Sequence, residues 1–228
     1  MFCNFVIPYR DSEYSGGKYK KVLEQFQPYF YTFLKDRSYD FNILYVEQSQ
    51  DNNLFNMGKL NNIGFDIFEK HTEYVYDEND AFGHHPVDQL PSNNVVYNFN
   101  GETHFIYDQN RDAPKVHMFK NNIFKKLNGY SNAYEGWGHE DTDMLTRMRI
   151  AGINEHNSFN SFTALACNGT GITSGDGNYS PKYEEHWPIL RKLEESRDIY
   201  YSGLNTLEYK LIIVNKLRDH EYHALVEI

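Results

Sequence analysis

Residues 136–143, with the sequence GWGHEDTD, combine glycines, an aromatic ring and three carboxylates. A flat aromatic ring such as Trp137 beside carboxylates suits a sugar, whose C–H face stacks on the ring while its hydroxyls form hydrogen bonds. Glu140 or Asp141 could then act as a general base that takes the proton of an acceptor hydroxyl. An alternative interpretation is a helix N-terminus whose acidic residues complement the helix dipole, and both interpretations can hold together.

A second acidic cluster, residues 77–80, follows the β-prone residues 74–76 and could hold a divalent cation. Mg²⁺ and Mn²⁺ prefer oxygen ligands, and a bound cation can neutralise a departing diphosphate. Asp80 and Asp77 are candidate ligands, and Asp88 in the segment HPVDQLP is a competing candidate. The alternative for residues 77–80 is a solvated acidic turn without a ligand.

The first 80 residues predict an alternation of strand and helix, which indicates a parallel sheet with right-handed crossovers. The predicted strands are residues 5–7, 41–46 and 74–76, and the predicted helices are residues 18–34 and 56–68, with Pro28 expected to kink or split the first. Ligands bind at the carboxyl ends of strands in such sheets, where Pro8, Glu47 and Asp77 are then expected to meet.

The second half of the chain is less regular. We predict strands at residues 95–99, 116–119 and 207–214, helices at residues 121–127, 141–150 and 187–196, and a loop at residues 168–180. Without an internal repeat or linker, residues 1–228 are expected to form one α/β domain. Residues 1–80 would be its nucleotide-binding half, and residues 81–228 its acceptor-side and catalytic half.

The composition excludes some classes of protein. The net charge of −10 argues against nucleic acid as a partner, because phosphate binding requires clustered Lys and Arg. We see neither a signal peptide nor an apolar run of the ~20 residues that span a bilayer. The chain is therefore expected to be soluble, although its compartment stays open between the cytoplasm and a longer, for example viral, protein.

Four segments in preserved order together resemble the β-1,4-galactosyltransferase family, including its xylosylprotein galactosyltransferase branch. They are residues 5–10 (FVIPYR), residues 46–65 with VEQ and FNMGKLNNIGF, residues 127–143 with LNGYSN and GWGHEDTD, and residues 202–209 (SGLNTLEY). The resemblance implies a GT-A fold, with a Rossmann-like, mostly parallel central sheet flanked by helices. It also implies a UDP-sugar donor, Mn²⁺ or Mg²⁺, and inversion at the anomeric carbon.

The resemblance also implies roles for individual residues. Asp141 would be the catalytic base, with Glu140 beside it. The residues that would bind the nucleotide sugar are Pro8, Tyr9, Arg10, Phe55, Asn56, Lys59, Glu78, Trp137 and Gly138.

The chain departs from the family pattern at its metal motif, where no Asp-Val-Asp is present. The spacing from residues 64–65 and to Trp137 places Asp80 at the second Asp of that motif and Glu78 at the first, and we prefer this assignment. Local pattern favours Asp88 instead, with proline in place of the first Asp. His186 is the nearest substitute for the family's metal-binding His and requires an insertion around residues 168–180.

Further departures are Thr142 in place of an acceptor-side Asp, Glu135 in place of a Trp, and Met57 in place of an Arg. We predict a metal-dependent inverting glycosyltransferase that moves a galactose-like hexose from a UDP-sugar to a hydroxyl of a glycan or glycoconjugate. The alternative is a catalytically degenerate domain that binds nucleotide or glycan without turnover. Glu140 and Asp141 favour the enzyme, because a domain that only binds needs no base.

Overall fold

The computed structural model of the chain describes residues 1–11, 18–50, 53–109, 114–136, 138–167, 170–171 and 182–228. Its helices are α1 Lys18–Asp36, α2 Met57–His71, α3 Asn121–Lys126, α4 Glu140–Ala151 and α5 Tyr183–Ser196. Its strands are β1 Phe2–Tyr9, β2 Asp40–Gln48, β3 Ala81–His84, β4 Gln89–Pro91, β5 Thr103–Asp108, β6 Pro114–Lys120, β7 Asn157–Asn160, β8 Phe162–Ala164, β9 Ala166–Cys167, β10 Thr170–Gly171, β11 Lys210–Arg218 and β12 Glu221–Glu227.

A central sheet organises the described residues, with eight strands in the order β11-β12-β2-β1-β3-β6-β5-β7. β12, β2, β1 and β3 run parallel to one another, and β7 runs parallel to β5, whereas β6 is antiparallel to both β3 and β5, and β11 is antiparallel to β12. Strands from residues 1–80 and from residues 81–228 thus share one sheet, and the predicted GT-A-type α/β fold is confirmed.

Two apolar clusters lie on the two faces of this sheet. One contains α1 side chains such as Phe26 and Phe30, packed on Phe5 of β1. The other contains side chains of α2, α3 and α4, packed on Val6 and Leu44. Because β1 and β2 are covered on both faces, their sequences are almost continuously apolar, which is typical of central parallel strands.

The helix α1 is confirmed, and it runs through Pro28 as one element without being split. α2 begins after Asn56, whose side chain accepts a hydrogen bond from the Lys59 backbone N–H. The predicted helices in the second half correspond to α3, α4 and α5. Most of the predicted loop 168–180 lies outside the described residues, which include only Thr170 and Gly171, in a short antiparallel pair with β9.

The predicted strands over residues 74–76 and 95–99 are wrong, since neither segment pairs with a neighbour. Tyr74 instead packs its ring on Phe2 and Phe68 after the end of α2. The third parallel strand is β3, and it was missed because it is short and carries Gly83 in its interior. β12, which pairs with β2 in parallel, was missed as well.

Candidate active site

The carboxyl ends of β1, β2 and β3 meet at one edge of the sheet, because the three strands are parallel. Tyr9 ends β1, and its hydroxyl donates to Glu47 Oε2 at 2.8 Å. Pro8 precedes it within β1, and Arg10 follows with its guanidinium donating to the Asn53 carbonyl at 2.7 Å. The sequence prediction that these residues share an edge with the end of β2 agrees with this arrangement.

The N-terminus of α2 lies at the same edge. Gln48, the last residue of β2, accepts a hydrogen bond from the Asn56 backbone N–H at 3.2 Å. Asn56 in turn caps the helix through Lys59 and donates its amide to the Asn132 carbonyl at 2.9 Å. The carbonyl of Phe55 accepts from Gly136 N–H at 2.6 Å. The segment expected to bind nucleotide is thus joined directly to the segment expected to carry catalysis.

The candidate catalytic carboxylates occupy the first turn of α4. Glu140 is buried, and its Oε2 accepts a hydrogen bond from the Gly138 backbone N–H at 3.1 Å. Asp141 is the more accessible of the two, with 34% of its side chain exposed, and its Oδ1 lies 3.7 Å from His117 Nε2. Asp141 is therefore the carboxylate that an incoming hydroxyl group can reach.

The electrostatic environment makes Asp141 a stronger base than an ordinary aspartate. Burial raises its pKa, and the positive charge of Lys115 opposes that shift only in part. Burial also raises the pKa of Glu140, and the charge of Asp141 adds to the effect. Burial lowers the pKa of His117 to about 4, so this imidazole is neutral at pH 7 and does not neutralise Asp141.

His117 was not predicted as a site residue. It lies in β6, opposite His84 of β3, and its Nδ1 forms a 2.8 Å hydrogen bond with the Tyr130 hydroxyl. This bond orients the ring so that Nε2 faces Asp141. A single His in a strand carries no local signal, and only the pairing of β3 with β6 brings it to the site.

A buried ion pair anchors α4 behind the carboxylates. Asp143 and Arg147 are both fully buried, with Arg147 Nε 2.5 Å from Asp143 Oδ1. The hydroxyls of Tyr134 and Tyr201 donate to Asp143 at 3.0 and 2.7 Å. The Arg147 guanidinium donates to carbonyls of the segment after α5, at Ile199 (2.8 Å) and Ser202 (2.7 Å).

His186 lies in the first turns of α5 and is almost completely buried. Its Nδ1 lies 3.1 Å from the Gly138 carbonyl, so it is attached to the backbone of the catalytic segment. Its Nε2 has no hydrogen-bond partner among the described residues. Burial lowers the pKa of His186, which keeps the ring neutral and its free lone pair available.

The predicted placement of the acidic residues 77–80 at the carboxyl edge of the sheet is wrong. Asp80, Asp77 and Glu78 precede β3 and lie at its amino end, on the edge of the sheet opposite Tyr9. Asp80 accepts hydrogen bonds there from the Phe2 backbone N–H at 2.7 Å and the Tyr74 hydroxyl at 3.1 Å. The assignment of these three residues to metal and nucleotide was based on motif spacing and on a strand at residues 74–76, and the structure has no strand there.

Asp88, the competing candidate, follows the carboxyl end of β3 and so belongs to the edge that holds Tyr9 and Arg10. It is half-buried, and its backbone carbonyl accepts from Leu165 N–H at 2.7 Å. Within the described ranges, no three His, Cys, Asp or Glu side chains converge as a preformed metal cage. Trp137, the predicted sugar-stacking residue, lies outside the described residues.

Comparisons with known proteins agree with this architecture. A family model described as the N-terminal region of glycosyl transferase group 7 matches residues 3–99, and one described as the N-terminal domain of galactosyltransferase matches residues 98–164. The catalytic domain of Drosophila β1,4-galactosyltransferase 7, solved in complex with xylobiose, has a TM-score of 0.74 at 22% identity, covering 100% of this chain and 94% of that one. A mutant of the Drosophila enzyme, solved with manganese, UDP-Gal and xylobiose, has a TM-score of 0.75, at the same identity and coverage.

Curated relatives match over nearly the whole chain. Beta-1,4-galactosyltransferase 7 of Drosophila melanogaster is 27% identical over 93% of this chain and 64% of its own length. The xylosylprotein 4-beta-galactosyltransferase of Caenorhabditis elegans is 29% identical over 94% of this chain and 72% of its own length. The chain thus spans less than two thirds of the Drosophila relative.

The fold and the two family models together define a GT-A protein of glycosyltransferase group 7. Within that group, the chain belongs to the β-1,4-galactosyltransferase family, as a divergent member. None of the helices in the described part of the chain has the length and apolar character needed to cross a membrane.

Proposed function

We propose that this chain is a metal-dependent inverting galactosyltransferase, which moves galactose from UDP-galactose to a hydroxyl of a glycan or glycoconjugate. The observation that carries the proposal is the position of Asp141, a partly exposed carboxylate of raised pKa at the start of α4. The backbone around it is joined to the N-terminus of α2 through the Gly136–Phe55 hydrogen bond. A one-step sugar transfer requires a base on a segment that adjoins the donor site, and this hydrogen bond joins the two segments to which we assign those roles.

In this mechanism Asp141 accepts the proton of the acceptor hydroxyl as its oxygen attacks the anomeric carbon. The bond to the diphosphate breaks on the opposite face, so the configuration inverts. Neutral His117 lies beside Asp141 and does not neutralise the carboxylate. Glu140 accepts a hydrogen bond from the Gly138 N–H, which positions the backbone at the start of α4. General base catalysis of this kind contributes about 10²- to 10⁴-fold to a rate.

Donor binding is assigned to the edge formed by Pro8, Tyr9 and Arg10 together with the start of α2. A helix N-terminus favours anions, and Phe55, Asn56 and Lys59 are placed around it. Trp137 and Gly138 would meet the sugar itself.

The residues at this edge fit a divalent cation, for which Mn²⁺ is the first choice because a related Drosophila structure contains manganese. His186 has the arrangement of a metal ligand, with one ring nitrogen bound to a backbone carbonyl and the other unpartnered within the described chain. We assign Asp88 as its oxygen ligand, in place of Asp80. Such ions usually take few protein carboxylates and complete their shell with phosphate and water, so no three-residue cage is required.

The two aspartates make a matched test of the metal assignment. Asp88→Asn is expected to weaken Mn²⁺ binding in the presence of UDP by about tenfold or more, because a charged oxygen ligand is lost. Asp80→Asn is expected to leave it unchanged, because Asp80 lies at the opposite edge of the sheet. Calorimetric titration of both variants with Mn²⁺ measures the difference, and equal affinities would refute the assignment of Asp88.

The pH dependence of the rate follows from the base. Since burial raises the pKa of Asp141, its carboxylate gains a proton at a higher pH than an ordinary aspartate. Activity should be full above that pKa and fall as the pH decreases through it. A kcat profile measured from pH 4 to 8 should therefore show its acid limb above the usual aspartate range, and a rate independent of pH over that interval would contradict a base role.

The overall activity is tested by UDP release from a panel of UDP-sugars, with Mn²⁺ and a panel of sugar acceptors. We expect UDP-galactose to be preferred, and xylose-terminated acceptors to be the first to respond, because xylobiose is bound in the related structures. Thr142 and the ion pair between Glu135 and Lys182 alter the acceptor side of the motif. If the chain binds UDP but releases no UDP from any of the UDP-sugars, the second candidate, a degenerate binding domain, would be favoured.

A further inference from the structure

A second histidine beside His186 has the same unexplained feature. His139 is 9% exposed and His186 is 1% exposed, and the Nε2 atom of each lacks a hydrogen-bond partner among the residues described. The two ring centroids are 6.1 Å apart, with the rings nearly perpendicular. Buried polar atoms are paired in most proteins, so two unpartnered imidazole nitrogens on adjacent rings call for a shared partner.

The backbone at His139 is strained in a way that favours a role for its side chain. His139 has φ = 73°, in the left-handed region, between Gly138 and the first residue of α4. A side chain at such a position costs free energy that glycine would avoid, and retained strain of this kind is typical of functional sites.

The ring of His139 is held in place by aromatic side chains of α5. It stacks on Tyr183, with centroids 4.6 Å apart at 27°, and contacts the Trp187 ring at 4.3 Å. His186 belongs to the same helix and is attached to Gly138, the neighbour of His139. The two imidazoles are therefore positioned by one rigid unit, made of the start of α4 and the first turns of α5.

The spacing of the rings is compatible with one ion between them. With a metal–nitrogen distance of about 2.1 Å, an ion lies about 3.2 Å from each ring centroid, so two ligating rings can be at most about 6.4 Å apart. The observed 6.1 Å satisfies this limit. At this separation the two metal–nitrogen bonds would meet at about 145°, and an approach of the rings by about 1 Å would bring them to a tetrahedral angle.

We propose that His139 is a second imidazole ligand of the divalent cation, beside His186. This inference rests on the proposed function, because it takes His186 as a ligand of the cation that holds the diphosphate. Two imidazoles favour Mn²⁺ and later transition metals over Mg²⁺, which prefers oxygen ligands. His139 would thus make this chain selective for a transition metal.

The test uses the full chain with Mn²⁺ and saturating UDP, and reads the bound ion directly. Electron spin-echo modulation should detect two imidazole nitrogens on Mn²⁺ in the wild type and one in His139→Phe. That variant keeps a ring for Tyr183 and Trp187 to pack on but removes both nitrogens. Its Kd for Mn²⁺ should rise about tenfold or more. Even replacing a residue that only hydrogen-bonds to a metal ligand typically weakens metal binding about 10- to 100-fold.

Two further variants complete the design. His139→Asn, which tolerates a left-handed backbone, should lose the same nitrogen signal and protects the test against misfolding of the Phe variant. His71→Gln, at the exposed C-terminal end of α2, should change neither signal nor Kd. One nitrogen in the wild type, or an unchanged signal in both His139 variants, would overturn the proposal and leave the proposed function intact. A wild type that binds no Mn²⁺ with UDP would overturn both.

Discussion

Replacing Asp141 with asparagine is expected to lower kcat for galactose transfer by about 10²- to 10⁴-fold, the range that a positioned general base contributes. The amide has nearly the same shape and can keep its contact with His117, but it cannot take a proton. KM for UDP-galactose should change little, because the donor is assigned to the edge around Tyr9 and α2. Initial rates of UDP release over a range of donor concentrations measure both parameters.

Asp36→Asn is the matched control, since Asp36 is an exposed aspartate at the far end of α1. Its rate should equal that of the wild type. If Asp141→Asn retained more than about a tenth of the wild-type kcat, the role of Asp141 as the base would have to be abandoned.

Replacing Arg147 with alanine is expected to destabilise the chain by about 3–5 kcal/mol, the usual cost of removing one partner of a buried ion pair. Asp143 would remain buried without its cation, and the carbonyls of Ile199 and Ser202 would each lose one donor and keep only the longer hydrogen bond from Asn128. The free energy of unfolding from urea titration measures the loss.

Arg149 provides the comparison, because it is an exposed arginine in the same helix. Arg149→Ala should cost less than about 1 kcal/mol, as is typical of surface substitutions. A cost below 1 kcal/mol for Arg147→Ala as well would mean that the ion pair does not anchor α4. Glu140 and Asp141 begin that helix. If the Arg147 variant stays folded, its kcat therefore shows whether the Asp143–Arg147 ion pair supports the geometry of the base.

The parts of the site that the sequence predicted are those carried by local patterns. The apolar period over residues 56–68 predicted α2, and the acidic residues after Gly138 predicted the start of α4. These signals depend on side chains three or four residues apart and on charges in the first turn of a helix, which a single sequence displays.

The errors arose where strand pairing decides the outcome. Residues 74–76 have β-prone side chains but no strand to pair with, whereas Ala81–His84 pairs with β1 despite its interior glycine. The predicted strand at residues 74–76 was one of the two grounds for choosing Asp80 as the metal ligand, and Asp80 lies at the amino end of β3. β12 was missed for the same reason, because its partner β2 lies about 180 residues earlier in the chain.

Contacts between distant segments could not be predicted from the sequence either. His117 reaches Asp141 because β6 lies beside β3, and Arg147 is buried between the carbonyls of residues 127 and 129 and the segment after α5. A lone His in a strand and an Arg in a helix are ordinary surface residues by pattern. Their roles follow from tertiary packing, which no local periodicity encodes.

The configuration of the product tests the central proposal most directly. The chain would be incubated with UDP-α-galactose, Mn²⁺ and a xylose-terminated acceptor, and the anomeric proton of the product would be observed by NMR. Direct displacement assisted by Asp141 predicts a β-linked galactose, formed by the wild type and not by Asp141→Asn. An α-linked product, or bound UDP-galactose that no hydroxyl acceptor converts, would contradict an inverting transferase at this site.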